Sequence, residues 1–132
     1  MNLLILFLLI LHSVSASEDC IGKYNEGLTE RYAGGGFYDK AGEFYQKAEK
    51  EDNLTKKKEF YLEVLKYSGS AIERFNISND TLNKAIIVCP SDTHSAVTSL
   101  IEANKSDQGI IRGFMLQIND KLGTTEMQKI DN

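Results

Sequence analysis

At 132 residues and a net charge of −4, with 15 basic and 19 acidic side chains, the chain is one domain at most and has no basic footprint for nucleic acid. Its only basic run, Lys56-Lys57-Lys58, reads as the solvated opening of a helix. Two cysteines and two histidines are too few, and too far apart, for a zinc centre, and the spacing calls for no metal or cofactor.

Residues 3–10, LLILFLLI, form an uninterrupted apolar run, about half of the roughly 20 residues that span a bilayer. No charged side chain occurs in residues 1–16, and Val14 and Ala16 stand three before and one before a cut after Ala16. This pattern predicts a signal peptide over 1–16 and a secreted or extracellular protein. The alternative is an uncleaved N-terminal anchor, which would tether the module to a membrane.

Beyond the leader, apolar residues recur at spacings of three and four, and no β-branched alternating segment is present, so the fold is expected to be all-α. The first helix is expected over residues 18–33, with Ile21, Tyr24, Leu28 and Tyr32 on one face. Gly34-Gly35-Gly36 is read as a tight turn, since glycines supply the positive φ such turns need. A second helix over 37–50 then presents Tyr38, Ala41, Tyr45 and Ala48 to the first.

Leu28, Tyr32, Gly36, Tyr38, Ala41, Tyr45 and Ala48 are similar to the tetratricopeptide repeat, in which large residues of one helix drop between small and aromatic residues of its partner. The resemblance covers one unit, residues 21–54. Thr29 stands where that family has glycine, and the closing proline is absent. The resemblance implies a small irregular helical bundle beginning with a tetratricopeptide-like antiparallel pair, and a scaffold that binds a protein or peptide.

Further along, residues 56–75 are read as one helix, Asn79 or Asp80 as the cap of a short helix stopped by Pro90, and Ser91 or Asp92 as the start of a helix reaching 104. A last helix opens at Asp107 and ends at Gly123. The folded domain is thus expected over 17–123, with a flexible tail over 124–132.

Cys20 and Cys89 are the only cysteines and both follow the leader, so export predicts that they pair. Closing a loop of about 70 residues is worth roughly 4 kcal/mol on chain-entropy grounds. Four sequons, at Asn53, Asn76, Asn79 and Asn104, fall where helices are expected to begin or end, and are candidate glycosylation sites.

No arrangement for catalysis emerges. His94 is the only histidine beyond the leader and sits in a helix's first turn, where capping is its natural role. Glu59 and Glu63 and the run Glu49, Glu51, Asp52 read as solvated surface, without the ligand spacing of a calcium loop. The chain is read as non-enzymatic. Of its six tyrosines, Tyr32, Tyr38 and Tyr45 are expected in the hairpin core, and Tyr24 and Tyr67 are the candidate partner-binding residues. A rival reading, a carrier of a small apolar ligand, would place Ile86, Val97, Ile101, Ile111 and Phe114 around an internal cavity.

Overall fold

The computed structural model describes the backbone of residues 3–130 and the side chains of residues 18–125. The leader expected over 1–16 and most of the tail expected over 124–132 lie outside the fully described residues. Among the described residues the fold is all-α and has three α-helices: α1 (Leu3–Lys50), α2 (Leu54–Val88) and α3 (His94–Ile130). They run up, down and up. Cys20 of α1 bonds Cys89 just beyond α2, while Glu49 at the other end of α1 meets Tyr61, so α1 and α2 are antiparallel. Ion pairs from Arg31 to Asp107 and from Glu49 to Lys121 show that α1 and α3 run parallel.

The antiparallel pair expected at the start of the chain is present, but its partners are α1 and α2. All seven residues of the tetratricopeptide-like pattern fall on α1 alone, because the helix continues through Gly34-Gly35-Gly36. Among the described residues no glycine takes a positive φ. The turn comes at 51–53 instead, where the Asn53 side chain accepts a hydrogen bond from the Lys56 backbone N–H at 3.0 Å and starts α2.

Packing explains why the glycines stay helical. Cys20, Gly27, Gly34, Ala41 and Ala48 recur every seven residues and are all buried against α2. A Cβ built at Gly27 would lie 2.7 Å from Leu82, and one at Gly34 3.2 Å from the Phe75 ring. Small residues at one position of a heptad let two helices approach closely, and the burial gained outweighs the helix-propensity cost of about 1 kcal/mol per glycine. The other heptad position of α1 holds large residues, Tyr24, Arg31, Tyr38 and Tyr45, which turn toward α3 and keep the α1 and α3 backbones apart.

Likewise α2 is one rod over Leu54–Val88, with Tyr61, Val64, Ser68, Ala71, Phe75, Ser78, Leu82 and Ala85 buried at alternating spacings of four and three. The expected break at Asn79 does not occur, because Ser78 and Asn79 sit in the middle of that stripe and use their side chains across the bundle rather than on the local backbone. Pro90 does stop α2. A single 3-10 turn, Ser91–Thr93, follows, and His94 caps the junction through Nε2 and the Cys89 carbonyl at 2.9 Å. The expected breaks at 104–107 and at Gly123 are likewise absent, and α3 continues to Ile130.

Three apolar layers form the core. Cys20, Leu82, Ala85, Cys89, Val97 and Ile101 pack at the disulfide end, Ala71, Phe75 and Ile111 in the middle, and Ala41, Ala48, Tyr61, Val64 and Ile118 toward the α1–α2 turn. A polar layer lies between the first two. Asn104, fully buried, donates from Nδ2 to Ser78 Oγ at 2.9 Å and to Asn79 Oδ1 at 2.8 Å, and accepts from Arg31. Ser78 in turn donates to the Gly27 carbonyl at 2.7 Å. Gln108, also buried, donates to Asn76 Oδ1 and the Ile72 carbonyl. A satisfied polar group in a coiled-coil seam permits one register, since any slip would strand it without partners.

Candidate functional site

The wide spacing of α1 and α3 leaves a long groove between them. On the α1 side Ile21, Leu28, Gly35 and Gly42 repeat every seven residues beside the large inward positions, and a Cβ at Gly35 or Gly42 would meet nothing within 4 Å. On the α3 side Ala96, Leu100, Ala103 and Ile110 share the corresponding strip. The groove holds two hollows. One, of about 310 Å³, lies beside the disulfide and is lined by Cys20, Ile21, Tyr24, Cys89, Thr93, Ala96 and Val97. The other, of about 180 Å³, is lined by Gly35, Tyr38, Asp39, Phe75, Asp107, Ile110 and Ile111.

Between the hollows Arg31 bridges the groove floor. Its guanidinium pairs with Asp107 at 2.8 Å, reaches Asn104 and lies 5.7 Å from the centroid of the Phe75 ring. The pair neutralises itself, which leaves Asp39 as the one formal charge of the second hollow without an ion pair among the described residues. The rims are apolar and exposed: Ile21 is 57 % accessible, Ile110 59 % and Tyr32 75 %. Tyr32 follows Leu28 by four residues and precedes Gly35 by three, so it stands beside both on the helix surface.

At its far end the groove closes on Glu49, Tyr61 and Lys121. The Tyr61 hydroxyl donates to Glu49, and Lys121 Nζ reaches the same carboxylate oxygen at 2.9 Å. Burial first, and then the Glu49 carboxylate that accepts its O–H, push Tyr61 up to about 12. The Tyr61 hydroxyl and then the Lys121 ammonium hold Glu49 below the ordinary carboxylate range, and Glu49 raises Lys121 in return. This cluster is a clasp joining all three helices.

The structure separates the sequence-level candidates. Tyr24 lines the disulfide-end hollow. Tyr67 is on the opposite side of α1, stacked on Phe44 at 5.5 Å and on Phe37 at 6.3 Å, with the Lys40 and Lys66 ammonium groups over its ring. The two tyrosines therefore do not share a surface. Tyr38 and Tyr45 are packed inward, edge-on to Phe114. Tyr32, expected in the core, is instead the most exposed of the six tyrosines, because the missing turn leaves it on the outer side of an unbroken helix. Ile110 and Tyr32 were not candidates; the seven-residue row Ile21, Leu28, Gly35, Gly42 is the signal that points to their face.

Val97 and Ile101 belong to the disulfide-end layer and Ile111 to the middle layer, with Asn104 and Gln108 between them, while Phe114 packs on Tyr38 and Tyr45. Together with Ile86 they fill separate layers and do not surround one chamber. The cysteines pair as expected, and their Cα atoms are 4.7 Å apart. The sequon asparagines are not all at exposed helix ends: Asn53 is exposed in the α1–α2 turn and Asn76 on α2, Asn79 is half-buried, and Asn104 is fully buried inside α3. Among the described residues no group of three His, Cys, Asp or Glu could hold a metal ion, and no helix is long and apolar enough to cross a membrane. Compared with protein-family models, curated proteins and solved structures, the chain matches none of them.

Proposed function

We propose that this chain is an exported, non-enzymatic helical module that seats an amphipathic helical segment of a protein partner in the groove between α1 and α3. The observation that carries the proposal is that groove: two parallel helices held apart by the large inward residues of α1, with an apolar strip at helical spacing and exposed Ile21, Tyr32 and Ile110 along its rims. A third helix laid along such a trough buries residues at i, i+3, i+4 and i+7. Asp39, without an ion pair at the rim, asks for one Lys or Arg on that segment. Face-to-face pairing with the groove of a second copy fits less well, since it would set one Asp39 against another and, among the described residues, no Lys or Arg lines either hollow.

From the tetratricopeptide resemblance the proposal keeps the mode of use, a segment seated along packed helices, with the groove moved from an N-terminal hairpin to α1 and α3. The export part rests on the leader over 1–16 and on the Cys20–Cys89 bond, which suits an oxidising compartment. A retained leader would display the same groove at a membrane surface; N-terminal sequencing of the exported product distinguishes the two. The hollow beside the disulfide favours a second reading, a small apolar ligand held there, and quenching of a bound fluorescent hydrocarbon probe by Ala96→Trp would report it.

Selection of random displayed peptides on the disulfide-intact protein tests the main reading. Recovered peptides should carry apolar residues at helical spacing and one basic residue. Their affinity should fall about tenfold, about 1.4 kcal/mol, in Ile110→Asp and in Tyr32→Glu, and stay constant in Glu59→Ala on the exposed side of α2. Equal binding by Ile110→Asp and the parent protein would sink the proposal.

A further inference from the structure

The four sequons differ in exposure and in which amide atom the fold uses, and the two differences together sort them. An N-linked oligosaccharide replaces one hydrogen on the asparagine amide nitrogen and leaves the amide oxygen free to accept. Asn53 is exposed, and only its oxygen is engaged, capping α2 through the Lys56 N–H at 3.0 Å. Asn76 is exposed, and its oxygen accepts from Gln108 at 2.6 Å. In both, a sugar leaves the internal bond intact.

Asn104 is the reverse case. It is 0 % exposed, and its amide nitrogen spends both hydrogens inside the bundle, on Ser78 and Asn79. A sugar there would remove one of those bonds and need room where three helices meet. Asn79 is half-buried, its oxygen is held by Asn104, and it lies three residues from Asn76, so one bulky substituent crowds the next.

We infer that Asn53 and Asn76 carry N-linked oligosaccharide, whereas Asn79 and Asn104 stay bare, Asn104 serving instead as the register pin of the bundle. Transfer takes place on the unfolded chain, so the fold acts afterwards: a chain modified at Asn104 cannot close its polar layer or bring Cys20 to Cys89. Both acceptors lie on α2 or the turn before it, and the sequon at the floor of the α1/α3 groove, Asn104, is one that stays bare, so the proposed partner face remains clear of sugar. The inference rests on the export reading.

The test is expression of the full chain in a eukaryotic secretory host, once with its own leader and once with a substituted one, and isolation of the disulfide-linked product. Enzymatic release of N-glycans leaves Asp at each occupied position, and peptide mass mapping then reads the sites. Asp is expected at 53 and 76 only. Asn53→Gln and Asn76→Gln should each remove one oligosaccharide, while Asn104→Gln should leave the carbohydrate unchanged and lower the unfolding midpoint. Asp at position 104 or 79 of the disulfide-linked fraction, or a bare Asn53 or Asn76, would overturn the inference. Retention of the chain behind its own leader, with the same two sites occupied behind the substituted leader, would refute the export reading and support this one.

Discussion

Alanine substitutions along the glycines of α1 discriminate a continuous helix from a helical hairpin, because the two arrangements give opposite signs. At Gly36, which is exposed and where a Cβ would meet nothing within 4 Å, alanine brings only the better helix propensity, about 1 kcal/mol. At Gly27 the same gain is set against a Cβ placed 2.7 Å from both Cγ and Cδ2 of Leu82. Cγ is the branch point of a buried side chain in a packed layer, so α1 and α2 must separate, and overpacking of this kind costs about 1–3 kcal/mol. The net at Gly27 is a loss of about 1 kcal/mol. At Gly34, where contacts of 3.2 Å to Phe75 and 3.3 Å to the Ala71 carbonyl ask for a few tenths of an ångström, gain and cost nearly cancel. Thermal unfolding followed by circular dichroism at fixed oxidation state reads the series. At about 4 °C per kcal/mol, Gly36→Ala should melt about 4 °C above the parent chain, Gly27→Ala about 4 °C below it and Gly34→Ala close to it. If Gly36→Ala lost stability by 1 kcal/mol or more, as replacement of a positive-φ turn glycine does, the unbroken α1 would be wrong.

The remaining predictions concern other parts of the bundle. Ser68 is fully buried and its hydroxyl has no hydrogen-bond partner among the described residues, so Ser68→Ala should raise the urea midpoint by an amount equivalent to about 1 kcal/mol; a loss would show that the hydroxyl is satisfied. The Cys20–Cys89 bond spans 69 positions, so the double variant Cys20→Ser/Cys89→Ser should unfold about 4 kcal/mol more easily in urea, and an unchanged midpoint would remove the bond from the account. Tyr61 titrates near 12 in the folded chain against 10 when exposed, so its contribution is complete below pH 10 and is lost as pH rises through 12. Ultraviolet titration should show a tyrosinate step at about 12 that Tyr61→Phe abolishes. Glu49 acts in the opposite direction: its lowered value makes its contribution present above the ordinary carboxylate range and lost on acidification, and Glu49→Gln should flatten that acid limb of the stability profile.

Fold class, the cysteine pair and the stop at Pro90 were legible because each depends on local chemistry or on parity. Apolar periodicity without strand alternation leaves helix as the only regular structure, two cysteines have a single way to pair, and proline cannot continue a helix. The breaks expected at Gly34-Gly35-Gly36, Asn79 and residues 104–107 failed for a common reason. Glycine and asparagine favour turns when the chain around them is free, and here each stands on a seven-residue seam where its small size or its amide is used by another helix. The spacing Cys20, Gly27, Gly34, Ala41, Ala48 was in the sequence, but local propensity and seam periodicity predict opposite structures at the same residues.

The site follows the same division. That Tyr24, an aromatic residue with a polar tip, would stand at a partly open face could be read from its residue type. That Tyr32 and Ile110 rim a groove, that Tyr67 packs on the other side of α1, and that Asn104 is a core residue could not. Sequence alone determined that this chain is helical and has a single way to pair its cysteines, and its apolar run over residues 3–10 is what the export proposal starts from. Tertiary structure alone decided that small residues draw α1 onto α2 while tyrosines hold α1 off α3, because the separation of two helices is set by the side chains both contribute, and neither helix carries that information by itself.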